Sequence, residues 1–176
     1  MVDFPAAIEA GVHRMATISA MDLLALKSPF ERIARLTRAL VGGGLGDVIL
    51  IDGDLTWHAS AHDGFSRRIP TEQSFAAQVA EGQDVQWVCD VLEDPRFLDH
   101  PYVVADPHVR FFAGAPITLQ DGSVLGAVVV AGPEVRPFDA DLADCLRDLA
   151  AMAAGECSRR QALNDLAQAH LQTQAA

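Results

Sequence analysis

Basic residues are scarce in this sequence: Lys and Arg number 13 against 24 Asp and Glu, leaving a formal charge of −11. That balance repels phosphate backbones and anionic lipid, which argues against nucleic acid or a membrane surface as the main partner. Cysteine is sparse too. Cys89, Cys145 and Cys157 form no C-x-x-C pair and no zinc-finger spacing, so free thiols in a reducing cytoplasm are the simplest account. No apolar run reaches the roughly 18 residues of a membrane span, and the opening "MVDFPAAIEAG" has no basic n-region. There is no G-x-S-x-G elbow and no Cys-His pair with local support, so nucleophilic catalysis has no warrant. These absences predict a cytoplasmic protein without a catalytic constellation.

What is present is apolar material in regular order. Half of the 176 residues are hydrophobic, enough for one domain with helical extensions to bury a core without disulfide or metal staples. The pattern is helical from about Pro5 to Leu26, broken at "KSPF", where Ser28 can cap a second helix with Pro29 at its first position. That helix, "FERIARLTRALV", puts Phe30, Ile33, Leu36 or Thr37, and Leu40 on one face and stops at "GGG". The cluster "GGGLGD" follows a helix and precedes a strand, the reverse of a phosphate loop, so it reads as a helix stop and connector.

"DVILIDGDLTWHAS" and "VRFFAGAPITLQDGSVLGAVVVAG" each place an Asp-Gly turn between apolar runs, which predicts two hairpins. Between them, "PTEQSFAAQVAEG" reads as a short helix and "QDVQWVCD" as a strand. The segment "VLEDPRFLDHPYVVADPH" has three prolines and little periodicity; such long loops in compact domains usually serve as lids or pocket walls. The chain ends in one long helix that opens near Asp139 or Asp141.

This order resembles the GAF family of small-molecule sensing domains. The strings that carry the resemblance are "FERIARLTRAL", "VILIDGDLTWHAS", "IPTEQSFAAQVAEG", "VCDVLEDPRFLDHPYVVADPHVRFFAGAPI" and "DGSVLGAVVV", over roughly Phe30 to Ala154. They are most similar to the subgroup found beside bacterial histidine kinases and diguanylate cyclases. The resemblance implies an α+β fold: a mostly antiparallel sheet of about six strands, with the terminal helices on one face and the short helix and long loop covering the other. It divides the chain into a helical segment (1–29), the GAF domain (30–154) and a helical extension (155–176).

A ligand pocket is implied under the long loop, walled by Trp57, Ser74, Phe75, Asp90, Phe97, Arg110 and Phe112. Each has a plainer reading. The period of two puts Arg110 and Phe112 on one strand face, with Phe111 and Ala113 on the other. Arg110 can pair with Asp90 or Asp94 to pin the loop, or present its guanidinium to an anionic ligand. The three phenylalanines can be simple core. Asp99, His100, Asp106 and His108 can form a metal or haem site, though solvated loop residues are the commoner outcome; His58 and His62, on a strand and turn, have no helical spacing to bring them together.

Ala76 stands where many relatives of this subgroup carry a pocket cysteine, and no cysteine precedes a histidine, so covalent bilin is not expected. The cysteine spacing also argues against the family's methionine sulfoxide reductases, and the cyclic-nucleotide motif Asn-Lys-x-Phe-x-x-x-Asp-Glu is missing. The cofactor is left open.

A heptad reading of the last helix gives a seam through Leu142, Cys145, Leu149, Met152, Glu156, Arg159, Leu163, Leu166 and His170. With the resemblance it implies a homodimer whose face includes Ile8, Val12, Met15, Leu142, Leu149 and Met152. No output domain follows in these residues, so the expected function is a noncatalytic sensor that binds an unidentified small molecule and signals to a separate protein such as a kinase or cyclase. The alternatives are a ligand-free dimerisation or interaction module and a thiol-based redox enzyme.

Overall fold

The computed structural model describes residues 23–59 and 68–174. Helix α1 (Leu23–Leu40) leads into strands β1 (Leu45–Asp52), β2 (Leu55–His58) and β3 (Arg68–Pro70). Helix α2 (Phe75–Glu81), strand β4 (Gln86–Val88) and the short helix α3 (Pro101–Val104) follow. Strands β5 (Phe111–Thr118) and β6 (Val124–Gly132) then precede helix α4 (Ala140–Gln174). The strands form one six-stranded sheet in the order β3-β2-β1-β6-β5-β4, and every neighbouring pair is antiparallel.

Alternation along the central strands divides the core into two layers. Val48 and Leu50 of β1, Phe111 and Ala113 of β5, and Val128 and Val130 of β6 face the long helices. Helix α1 meets them with Leu26, Phe30, Ile33 and Ala34, and α4 with Leu146, Leu149, Ala150 and Ala153. Ile49, Ile51, Phe112, Val129 and Ala131 face the other way, against Phe75, Ala76 and Val79 of α2 and the loop residues Val91, Phe97, Val103 and Val109. Layered packing of this kind follows from side chains pointing to opposite faces at successive strand positions.

Both Asp-Gly turns are in place, with Gly53 at φ 62° and Gly122 at φ 84°. The three glycines after α1 also adopt positive φ, and the amides of Gly42 and Gly43 donate to the Ala39 and Arg38 carbonyls that the helix leaves open. At the start of α4, Asp139 Oδ1 accepts the Leu142 amide at 3.0 Å.

The break expected at Ser28-Pro29 is absent, because α1 runs through both residues with Pro29 inside it. Leu26 and Phe30, one turn apart and nearly fully buried, bracket the proline and hold both sides of it on the core. Helix α4 continues unbroken past residue 154, as the one long helix expected there.

Candidate functional site

The sheet face turned away from α1 and α4 carries a pocket of about 270 Å³. Its floor is Ile49, Val129 and Ala131 from β1 and β6, and Phe75 and Tyr102 close it from α2 and α3. Polar groups gather along β1 and β2: Asp47, His58 and, from α1, Arg38. Asp47 reaches this side because it precedes Ile49 by two positions, and His58 because it stands opposite Ile49 in the β1-β2 register.

His58 Nδ1 lies 2.8 Å from Asp47 Oδ2, with both side chains largely buried. A carboxylate only accepts, so Nδ1 carries the proton of this bond. Asp47 Oδ1 accepts the Val48 amide at 2.8 Å, and His58 Nε2 lies 3.0 Å from the Thr56 hydroxyl, whose single proton goes either to this nitrogen or to the Ile69 carbonyl 3.2 Å away. The pair thereby links β1 to β2. Burial and the Asp47 charge raise the Tyr102 phenol above its ordinary pKa, keeping it a neutral hydroxyl. Arg38 donates to the Gly46 carbonyl at the rim. The described lining residues include no serine, cysteine or lysine nucleophile. The arrangement offers apolar walls and a polar edge that can orient a small molecule.

The residues expected at the site are divided by the sheet. Phe75 lines the pocket, and Phe97 and Phe112 pack directly behind it, with ring centroids 5.6 and 4.5 Å from Phe75. His100 stacks on Phe75 at 4.1 Å, and burial pushes its imidazole down to about 4. Its Nδ1 accepts the Tyr102 amide and so caps α3. Ser74 caps α2, accepting the Ala76 amide. Trp57 lies on the opposite face against Phe30, because it is paired with Leu50, whose side chain faces the long helices.

Arg110 and Asp90 form a two-pronged ion pair, with Arg110 Nε and Nη2 at 3.0 and 2.5 Å from the two carboxylate oxygens. Asp90 also caps the turn at Val91–Glu93, while Asp94 pairs instead with Arg96. The bond from Arg110 holds the Asp90 carboxyl below its usual range. This geometry matches the loop-pinning reading, and neither residue lines the pocket.

Sequence reasoning missed Asp47, Tyr102 and Arg38, and weighed His58 only as a possible partner of His62. The available signal was an acidic residue in phase with Ile49 and Ile51 along an otherwise apolar strand. Among the described residues no three His, Cys, Asp or Glu side chains gather as a metal site. Leu142 and Leu149, expected at a dimer face, are buried within the chain because α4 lays them against its own core; Met152 is exposed. Ile8, Val12, Met15 and His62 lie outside the described residues.

Comparison with known proteins assigns this architecture. Over 107 residues the chain is 33% identical to a cyclic di-GMP phosphodiesterase of Pseudomonas aeruginosa; the match spans 61% of this chain and 18% of that protein. The fold is similar to the GAF domain of PixJ from Thermosynechococcus elongatus in its blue-light-absorbing form, with a TM-score of 0.66 and 16% identity over 84% of this chain and 93% of that one. It is also similar to the free methionine-R-sulfoxide reductase of Neisseria meningitidis, with a TM-score of 0.59 and 20% identity over 86% and 92% of the two chains. These identities speak to the fold. The GAF domain profile matches residues 26–157, three quarters of the sequence with the sheet and both flanking helix segments inside it, and the chain belongs to the GAF domain family.

Proposed function

We propose that the chain is a noncatalytic sensory module that takes a small molecule in the pocket at Asp47 and His58 and signals through its long helices. The observation that carries this reading is the pocket itself. It is mostly apolar, has a fixed polar edge, and lies across the sheet from α1 and α4. Small-molecule sites generally measure about 300–1,000 Å³, so a volume of about 270 Å³ suits a compact ligand. A ligand resting on Ile49 and Val129 would bear on strands whose other faces carry the helices, which gives occupancy a route to them.

The output is a second copy and a separate signalling protein. Beyond Cys157 the surface of α4 exposes Leu163, Leu166 and Leu171, which suits pairing with another helix. The Pseudomonas relative, a cyclic di-GMP phosphodiesterase, favours an output enzyme of that kind. A thiol reductase fits less well: Cys157 is buried with its thiol pushed up to about 12, Cys89 is exposed, and all three cysteines are free.

The test is a thermal-shift panel of small metabolites on the wild type and on Val129→Phe, which fills the floor of the pocket. A compound that raises the wild-type midpoint and leaves the variant unmoved supports the reading. A panel that moves both equally places any binding elsewhere.

A further inference from the structure

A second crevice of about 270 Å³ lies where the end of α1 meets the loop between β6 and α4. Gly42, Gly43 and Gly44 line one side, and Glu134, Val135 and Arg136 the other. Arg136 is the unusual group. Its backbone is fixed at both ends, with the amide donating to the Cys89 carbonyl at 3.0 Å and the carbonyl accepting from Trp87 Nε1 at 3.3 Å. Its guanidinium sits over the Phe111 ring, 5.8 Å from the centroid. Nη1 is fully buried without a hydrogen-bond partner, and among the described residues no carboxylate pairs with the side chain.

An arginine with a buried, unmatched N–H is costly, because the donor has lost its water and gained nothing in return. Such a group calls for a partner. In a chain of net charge −11 with many carboxylates, this partly buried guanidinium is left without one among the described residues. The facing backbone adds room and polarity. All three glycines have positive φ, so the chain can turn there without side chains, and Gly44 is pressed so near Ala131 that a Cβ would stand 2.8 Å from its carbonyl oxygen. The nearby helix-end carbonyls of Ala39 and Arg38 are already matched by the Gly42 and Gly43 amides, which reduces their repulsion of a negative group.

We infer that this crevice is a binding site for a small oxyanion, a carboxylate or phosphate group, held by the Arg136 guanidinium. Guanidinium geometry matches such groups, and the aromatic ring beneath it keeps the fork in place. The site is separate from the Asp47-His58 side chains, although Gly44 and Ala131 border both hollows. It joins the exit of α1 to the entry of α4, so an anion there would clamp the two helices proposed to carry the signal. Its failure would leave the ligand-pocket reading untouched.

The test is a titration of the full chain with inorganic phosphate and, separately, with acetate, each against chloride at constant ionic strength. It is followed by amide NMR and by the thermal midpoint. We expect saturable shifts at Gly42–Gly44 and Arg136. Arg136→Met, which keeps an apolar stem over Phe111, should weaken binding about tenfold or more. Glu134→Gln, which removes a like charge from the rim, should strengthen it. The response to phosphate against acetate identifies which oxyanion is preferred. Should Arg136→Met fold poorly, the wild-type shifts and the Glu134→Gln gain decide the matter. Absence of saturation in the wild type, or equal responses in wild type and Arg136→Met, overturns the proposal.

Discussion

Asp90 and Arg110 separate two roles that the sequence leaves open, because an ion pair that pins a loop behaves differently from one that holds a ligand. If the pair is a pin, Arg110→Met will speed proteolysis within residues 94–108 while any pocket ligand is retained. Loss of ligand with an unchanged loop would contradict that. The same pair contributes to acid sensitivity. The Asp90 carboxyl is held low by Arg110, so its stabilisation is present above the ordinary carboxylate pKa of about 4 and is lost as pH falls below it. His100 acts in a higher window. Its folded value of about 4 lies below the ordinary 6.5, so the unfolded chain takes up a proton that the folded chain refuses. That stabilisation is complete above about pH 6.5 and falls away between there and about pH 4. Urea titrations of wild type and His100→Asn should therefore differ in pH dependence within this window, with the variant flatter. Parallel curves would mean that His100 titrates freely. Cys157, by contrast, should resist iodoacetamide until the protein unfolds, while exposed Cys89 is alkylated in the native state.

At the level of elements, the parts governed by local rules were legible and the parts governed by register were not. Asp-Gly turns and the glycine stop require only neighbours in sequence, and each is found in place; the last helix, expected to open near Asp139 or Asp141, starts at Ala140 with Asp139 accepting the Leu142 amide. The split of Phe111 from Phe112 followed from strand alternation alone. Trp57 was misplaced because alternation relates it to Thr56 and His58, whereas only pairing with Leu50 shows which of the two faces it joins. The same register places His58 near Asp47, 11 residues away, so their contact was hidden until β1 and β2 were aligned. Pro29 shows tertiary packing overriding a local breaker. Removing it restores a backbone donor, and Pro29→Ala should raise stability by about 1–3 kcal/mol in urea denaturation. A fall would show that the ring's own packing matters more. Gly126 gives the opposite expectation, since a Cβ there would stand 2.0 Å from the Ile49 carbonyl oxygen. Gly126→Ala should force β1 and β6 apart and destabilise the fold by about 3 kcal/mol; an unchanged midpoint would contradict the close approach.

At the scale of the whole molecule, the sheet separates two faces that are covered differently. One is filled by α1 and α4 and holds the largest cluster of buried residues, while the other keeps a pocket beneath a cover of short helices and loop. Phe75, Phe97 and Phe112 fill the middle of that second face, which is why the space that remains lies toward β1 and β2 and is small. Helix α4 runs on for 35 residues, with its distal leucines exposed. Pairing through that end predicts that Leu163→Glu combined with Leu166→Glu converts a dimer to a monomer in analytical ultracentrifugation; an unchanged sedimentation coefficient would move the interface elsewhere. Native mass spectrometry of the protein purified from its own host, under conditions that keep noncovalent adducts, reads whether the pocket is occupied. A ligand in the pocket at Asp47 and His58 should appear as a discrete small-molecule mass on the wild type that is missing from Val129→Phe. A bare wild-type protein, still bare after incubation with host extract, would contradict it.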